Sequence, residues 1–338
     1  MLIRIIGAGV VGLAAAYEIA RLGAASGARV ELVERLAAPG LGCSRYAGGM
    51  IAPWCELESA EPIVATLGEE ALDFWTREIG VAQRRGSLVV APPREPGELS
   101  DFSRRTRNFD RLDGEALAQL EPDLAGRFPA ALYFAQEAHL DPRAAMARLA
   151  ELLAAQENAQ IVFGDAAPAA AADWTVDCRG YVARDTLATL RGVKGEMLLL
   201  RAEDVNISRP VRMLHPRRPV YVVPRGNGLY MIGATMIENE ERARVTARSV
   251  VELVNSAFAI HPAFAEAEIV ETGSDVRPAF PDNLPRLSLR GRTLYINGLY
   301  RHGFLLAPAL AHRAARLILR GETFPEVMDA DQRERADA

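Results

Sequence analysis

Close to the start of the chain, Gly7-Ala8-Gly9-Val10-Val11-Gly12 follows a short apolar run, Leu2-Ile3-Arg4-Ile5-Ile6. A helical pattern continues from Leu13 to about Arg21, and a second apolar run, Val30-Glu31-Leu32-Val33, ends at Glu34. The pattern reads strand, glycine turn, helix, strand and acid, with the acid twenty-two positions after the third glycine. Gly7 permits the tight turn, Gly9 lets backbone approach a pyrophosphate, and Gly12 lets helix and strand pack closely. The helix start offers unpaired N–H groups and a positive dipole end to phosphates, which makes Gly7, Gly9, Val10, Val11 and Gly12 candidate contacts. Glu34 is placed to accept hydrogen bonds from a ribose. A glycine pattern of this kind also serves as a strand-to-helix turn with no ligand. Its place after a strand, with an acid at the expected distance, favours a dinucleotide site and leaves open which dinucleotide.

A chain of 338 residues is long enough for two domains and a large core. Apolar residues at 49% and charged residues at 25% are ordinary for a globular protein, and a net charge of −5 gives no basic footprint for nucleic acid. Cys43, Cys55 and Cys178 are widely spaced, with no Cys-x-x-Cys pair and no Cys/His cluster, so neither a disulfide framework nor a metal site is expected. No leader pattern precedes the first strand, and no apolar run approaches bilayer length. The expectation is a cytoplasmic protein with no membrane partner.

After Glu34-Arg35 the chain does not proceed to another strand. It keeps small residues together through Gly40, Gly42 and Ser44 to Ala47-Gly48-Gly49-Met50, which suits backbone lying against a flat part of a cofactor, although a plain flexible loop has the same composition. With the first glycine unit, Glu34-Arg35 and Ser44-x-x-Ala47-Gly48-Gly49-Met50, the chain resembles the D-amino-acid oxidase superfamily of flavoproteins. Within it the resemblance is greatest to the glycine oxidases associated with thiazole (thiamin) biosynthesis. The resemblance implies FAD as cofactor, with Ser44 facing its pyrophosphate and Ala47, Gly48, Gly49 and Met50 lining the isoalloxazine.

Further along, Glu61 to Ile79 has amphipathic helical spacing, Gly86–Val90 and Ala131–Phe134 read as strands, and Asp141-Pro142 opens a helix to about Ala155. His139, just before that helix, reads as structural. Gln160–Phe163 and Trp174–Cys178 are strands joined by an Ala/Pro stretch from Ala166 to Ala172. In the resembling family, the turn at Arg179-Gly180 lies beside the adenosine half of FAD; here Cys178-Arg179 replaces two small residues. Val193–Leu200 is a strand whose start carries Lys194, the only lysine, with a solvent-facing position as likely a reading as a contact to flavin or oxygen. Pro219–Arg225 and Gly228–Met236 form two strands around Gly226-Asn227-Gly228, a hairpin signal. A helix is expected over 245–258, strands over 267–273 and 293–297, and a last helix to about Arg320, with a frayed charged tail after Pro325.

Oxidation of an amino acid at a flavin asks three things of a protein: a cation to clamp the carboxylate, a pocket that sets side-chain size, and a positive field for the reduced ring. Arg277, in Val276-Arg277-Pro278, resembles the family's arginine for the substrate carboxylate, and a planar guanidinium suits that task. The resemblance puts the Tyr221 hydroxyl on the same carboxylate and Met236 on the pocket wall; core packing is the alternative for each, and for Met236 it is nearly as good an account. Arg301 is implied at the active-site entrance, and His302, Gly303, Phe304 and Leu305 at the flavin edge, where a helix start supplies the positive field.

The expected fold is α/β: a Rossmann-like, doubly wound FAD-binding domain of D-amino-acid oxidase type over 1–80, 140–193 and 272–338. An inserted, mostly antiparallel α+β substrate domain is expected over 81–139 and 194–271. The implied reaction is oxidative deamination of glycine or a related small amino acid (sarcosine, small D-amino acids) by hydride transfer from Cα to flavin N5. Its products are an imine or 2-oxo acid, ammonia and hydrogen peroxide from molecular oxygen. The resemblance further implies a homo-oligomer and a link to thiazole synthase. Three other readings stand beside it: an FAD-dependent amine dehydrogenase with a non-oxygen acceptor, an NAD-dependent reductase, and a non-catalytic FAD-binding protein. The NAD reading leaves 47–50 and 300–303 unexplained.

Overall fold

The structure, a computed structural model, describes residues 1–164, 171–215, 219–242 and 244–329. Most of the Ala/Pro stretch (166–170) and the charged tail beyond 329 lie outside the described residues. The chain divides into two compact units. One comprises Met1–Ala47, Pro142–Val193 and Val276–Ala338, and the other Gly48–Asp141 and Lys194–Asp275.

The first unit is built on a six-stranded sheet in the order Arg286–Arg290, Thr293–Asn297, Trp174–Asp177, Leu2–Ile6, Arg29–Glu34, Ala159–Phe163. All neighbours are parallel except the hairpin pair Arg286–Arg290 and Thr293–Asn297. The chain winds outward from Leu2–Ile6 in both directions, and Ile6 pairs with both Val33 and Asp177. Gly7 and Cys178, which follow two of these strands, and Glu34, which ends a third, therefore share one edge of the sheet, the carboxyl edge at which open α/β sheets take ligands. The helix Val10–Gly23 packs on Gly303–Arg320 and on Pro142–Ala154. Ala14, Ala15, Ala16, Leu13 and Ile19 are fully buried along the first of these helices, and small side chains on its face permit close helix contact.

The second unit carries an eight-stranded, largely antiparallel sheet in the order Glu268–Ala279, Arg191–Arg201, Leu229–Gly233, Val220–Gly226, Val211–Met213, Ser87–Val90, Ala130–Phe134, Asp110–Asp113. The expected hairpin closes with Gly226 opposite Leu229, so Asn227 and Gly228 form a two-residue turn with φ of 51° and 68°. Both central residues have the positive φ of a type I′ turn, the hand that matches strand twist. The helix Ala247–Ile260 covers this part of the sheet with Leu253, Ala257 and Ile260 inward, over Val222, Ile232 and Tyr230. Among the described residues no helix is long and apolar enough to cross a membrane.

Several expectations change. Residues 48–80, assigned from sequence to the cofactor domain, fall in the second unit. Met50–Ile51 pairs with Ala138–His139, and the buried Glu137 carboxyl accepts from the N–H groups of Trp54 (3.1 Å) and Cys55 (2.8 Å). The single helix expected over 61–79 is α-helical for Pro62–Asp73 and widens to a π turn over Phe74–Glu78, where the Thr76 hydroxyl donates back to the Leu72 carbonyl at 2.6 Å. The strand expected to reach Met236 ends at Gly233; beyond it the pairing with Arg191–Arg201 slips by one residue, from Leu198 opposite Ile232 to an isolated bridge of Lys194 with Ile237. Lys194 does not face solvent: it is buried against Glu196.

Candidate functional site

In the first unit the glycine turn closes tightly. A Cβ on Gly12 would stand 1.8 Å from the Gly7 carbonyl oxygen, and one on Gly7, whose φ is +98°, 2.9 Å from that of Cys178. Gly9 is the N-cap of Val10–Gly23; it supplies no side-chain cap, and the first turn holds no acidic residue. The Val10 N–H donates to Ser44 Oγ at 3.1 Å, so Ser44 returns to the helix start as expected. Glu34 lies buried at the strand end and accepts from the Ala8 N–H (2.7 Å) through one oxygen and the Leu36 N–H (3.0 Å) through the other. Arg35, beside it, is exposed.

The altered turn after Trp174–Asp177 has its own chemistry. Arg179 is held between Asp177 (2.7 Å) and Asp185 (2.8 Å), and those two carboxylates, Asp185 first, raise its pKa further. Gly180 has a φ of +61° and open space where a side chain would stand.

Arg277 sits half-buried near the end of Glu268–Ala279. The carbonyl of its neighbour Pro278 accepts from the Tyr300 N–H at 3.0 Å, which draws the Arg277 strand and the Tyr300-Arg301-His302 turn together. Buried His302 is the N-cap of Gly303–Arg320, without a side-chain cap or an acid in the first turn. A Cβ on Gly303 would lie 3.6 Å from Val10 Cγ1, so the starts of two long helices, including Phe304 and Leu305 of the second, meet beside the glycine turn. Two helix N-termini, a turn without side chains and a buried acid at a strand end fit the phosphates and ribose of a dinucleotide.

The second unit holds Gly48, Gly49, Met50, Tyr221 and Met236, while Ala47 ends the first segment of the other. Tyr221 pairs with Gly233 across the hairpin, and its ring lies against two glycines: a Cβ would come within 2.7 Å of it at Gly48 and 3.0 Å at Gly233. Beneath the same loop, Arg225 donates to the carbonyls of Gly48 (2.9 Å) and Leu140 (3.0 Å). The sequence reading passed over Arg225; the available signal was a guanidinium between Pro224 and Gly226 at the end of an apolar strand. Met50 pairs with His139, which burial, then Arg225, Arg85 and Arg209, push down to about 4, so its imidazole is neutral near pH 7. Met236 is half-exposed and lines a surface pocket with Thr235, Arg248, Glu252 and Ser256.

Comparison with known proteins adds four findings. The family described as FAD dependent oxidoreductase (DAO) matches residues 3–317. A Rhizobium etli protein named as the thiamine biosynthesis oxidoreductase ThiO is 53% identical over 332 residues, 96% of this chain and 99% of that protein. A glycine oxidase of Geobacillus kaustophilus is 28% identical across 95% of this chain and 93% of its own length. Among solved structures, glycine oxidase from Bacillus cereus shares the fold with a TM-score of 0.80 at 22% identity, covering 95% of each chain.

Proposed function

The chain belongs to the FAD dependent oxidoreductase family, and from that premise we propose that it oxidises glycine or a related small amino acid, such as sarcosine or a small D-amino acid. Loss of two electrons and two protons leaves an imine, which water hydrolyses to the 2-oxo acid and ammonia (methylamine from sarcosine); with molecular oxygen as acceptor, hydrogen peroxide forms. The imine is a fitting feed for thiazole formation, in keeping with the thiamine role in the name of the Rhizobium etli relative.

Bound FAD supplies the two-electron acceptor. Gly7, Gly9, Val10, Val11, Gly12 and Ser44 hold its phosphates, Glu34 a ribose, and the backbone of 47–50 its ring. Arg277 clamps the substrate carboxylate by a charge-assisted, two-pronged hydrogen bond, and the Tyr221 hydroxyl adds a second donor. The clamp turns the Cα–H bond toward the acceptor; an amine arriving neutral needs no side-chain base. The start of Gly303–Arg320 supplies a positive dipole end where negative charge develops. Arg301 stands by as a second cation for the anionic substrate.

What carries the reading is the tie between Tyr300 and Pro278, which joins the strand of Arg277 to the turn heading an acid-free helix start. It is tested by adding glycine, sarcosine and D-alanine anaerobically to the purified flavoprotein. Bleaching of the flavin by at least one is expected; a flavin left oxidised by all three, or a protein without flavin, overturns the reading. Oxygen uptake with peroxide release then distinguishes an oxidase from a dehydrogenase.

A further inference from the structure

Lys194 and Glu196 lie two apart on the strand Arg191–Arg201, with Nζ 2.8 Å from Oε1 and side chains 3% and 0% exposed. Removing two charges from water is costly, and a buried pair seldom adds net stability over an apolar one. Such a pair can fix one arrangement over others, and here most other hydrogen bonds of the two residues, backbone and side chain, go to one stretch of chain and to the helix it leads into.

That stretch runs from Thr235 to Thr246. At its start the bonds are reciprocal: Thr235 N–H to the Glu196 carbonyl (3.1 Å), Glu196 N–H to Thr235 Oγ1 (2.9 Å), Lys194 N–H to the Ile237 carbonyl (2.8 Å) and Ile237 N–H to that of Lys194 (3.0 Å). At its far end Lys194 Nζ donates to the Arg244 carbonyl, and the Thr246 N–H (3.3 Å) and hydroxyl (3.4 Å) donate to the Glu196 carboxylate. Thr246 in turn caps the helix Ala247–Ile260 through the Ser249 N–H. Burial would raise the Glu196 carboxyl, but Lys194, Ser249 and Thr246 together hold it below the usual range, so Glu196 meets Lys194 as a carboxylate. Met236 stands between the two reciprocally bonded residues, Thr235 and Ile237, and its half-exposed side chain lines a pocket with Arg248, Glu252 and Ser256 of the helix that Thr246 caps.

We propose that the Lys194–Glu196 pair is a positioning device whose side chains pin the far end of the stretch 235–246, at Arg244 and Thr246, while backbone bonds of the same two residues hold its start, and that the stretch so fixed sets the place of Met236 and the side-chain size the enzyme accepts. The size claim rests on the amino-acid oxidase reading above; the pinning claim does not. The test compares the FAD-loaded wild-type protein with a Lys194→Met/Glu196→Leu double variant, which leaves no lone buried charge. Trypsin cleavage after Arg242 or Arg244 reports release of the stretch, and is expected to quicken by about tenfold. The ratio of kcat/KM for glycine to that for D-alanine is expected to change by about fivefold or more, through KM rather than kcat. Lys194→Arg, which keeps the pair, restores both values toward wild type. Wild-type cleavage and an unchanged substrate ratio in the double variant overturn the proposal. If it loses FAD, Thr246→Ala removes one anchor without unpairing either charge and is judged by the same two measurements. A wild-type protein that oxidises neither substrate defeats the oxidase reading, while the cleavage rates still decide the pinning.

Discussion

At Gly12 a single hydrogen in place of a methyl decides whether the first helix can sit on its strand. An alanine there would put Cβ 1.8 Å from the Gly7 carbonyl oxygen, a backbone atom that cannot turn aside. Gly12→Ala should therefore cost on the order of 1–3 kcal/mol in folding free energy, read by urea denaturation, and weaken FAD retention as the helix start moves off the turn. Arg277 makes a different kind of contribution. Arg277→Leu should cut kcat/KM by about a hundredfold or more, roughly 3 kcal/mol for a lost charged hydrogen-bond pair, with bound FAD unchanged by its visible spectrum. Loss of flavin instead would mean that Arg277 serves the cofactor.

Among the elements, the Met50–Ile51 ribbon and the short helix Pro53–Glu56 hang on one buried acid. Glu137 accepts from Trp54 and Cys55 N–H groups and from the Ser87 hydroxyl, yet burial outweighs those bonds and pushes it up to about 8. A carboxyl raised on folding binds its proton more tightly in the folded state. Its stabilisation is complete below about pH 4.5 and is lost as pH rises to 8, by about 1.4 kcal/mol per unit. His139 works in the other direction. Depressed from 6.5 to about 4, it adds stability above pH 6.5 that is lost on acidification toward 4. The two oppose each other in mild acid, so the Glu137 slope stands alone between about pH 6.5 and 8. Glu137→Gln keeps an acceptor for both N–H groups and a donor for Ser87, and should flatten the fall in Tm across that window. An unchanged slope would mean that Glu137 is ionised throughout.

For the molecule as a whole, FAD binds the folded chain and not the unfolded one, so stability should follow the cofactor. Free FAD at one hundred times its Kd should add about 2.7 kcal/mol, seen as a Tm that climbs with FAD concentration and falls in the apoprotein. A Tm indifferent to FAD would contradict the cofactor role of the first unit. The strand, glycine turn, helix and acid of residues 2–34 were legible because much of their geometry is local: Gly7 takes a positive φ, and a Cβ on Gly12 would strike the Gly7 carbonyl only five residues back. The Asn227-Gly228 hairpin was legible for the same reason, since positive φ at two successive residues selects its own residue types. Other features depended on partners far away in the chain. The strand Arg286–Arg290 is short and ends in arginines, and only its pairing with Thr293–Asn297 defines it. Glu137, Arg225 and Lys194 carry charged groups, a residue type that mostly stays in water. Burial beside Trp54 and Cys55, beneath Gly48 and Leu140, and against Glu196 gave them their roles. Sequence by itself determined where backbone conformation is forced by the residue present; the tertiary structure alone decided which charges leave water, because that depends on partners that only the folded chain brings within a hydrogen bond's length.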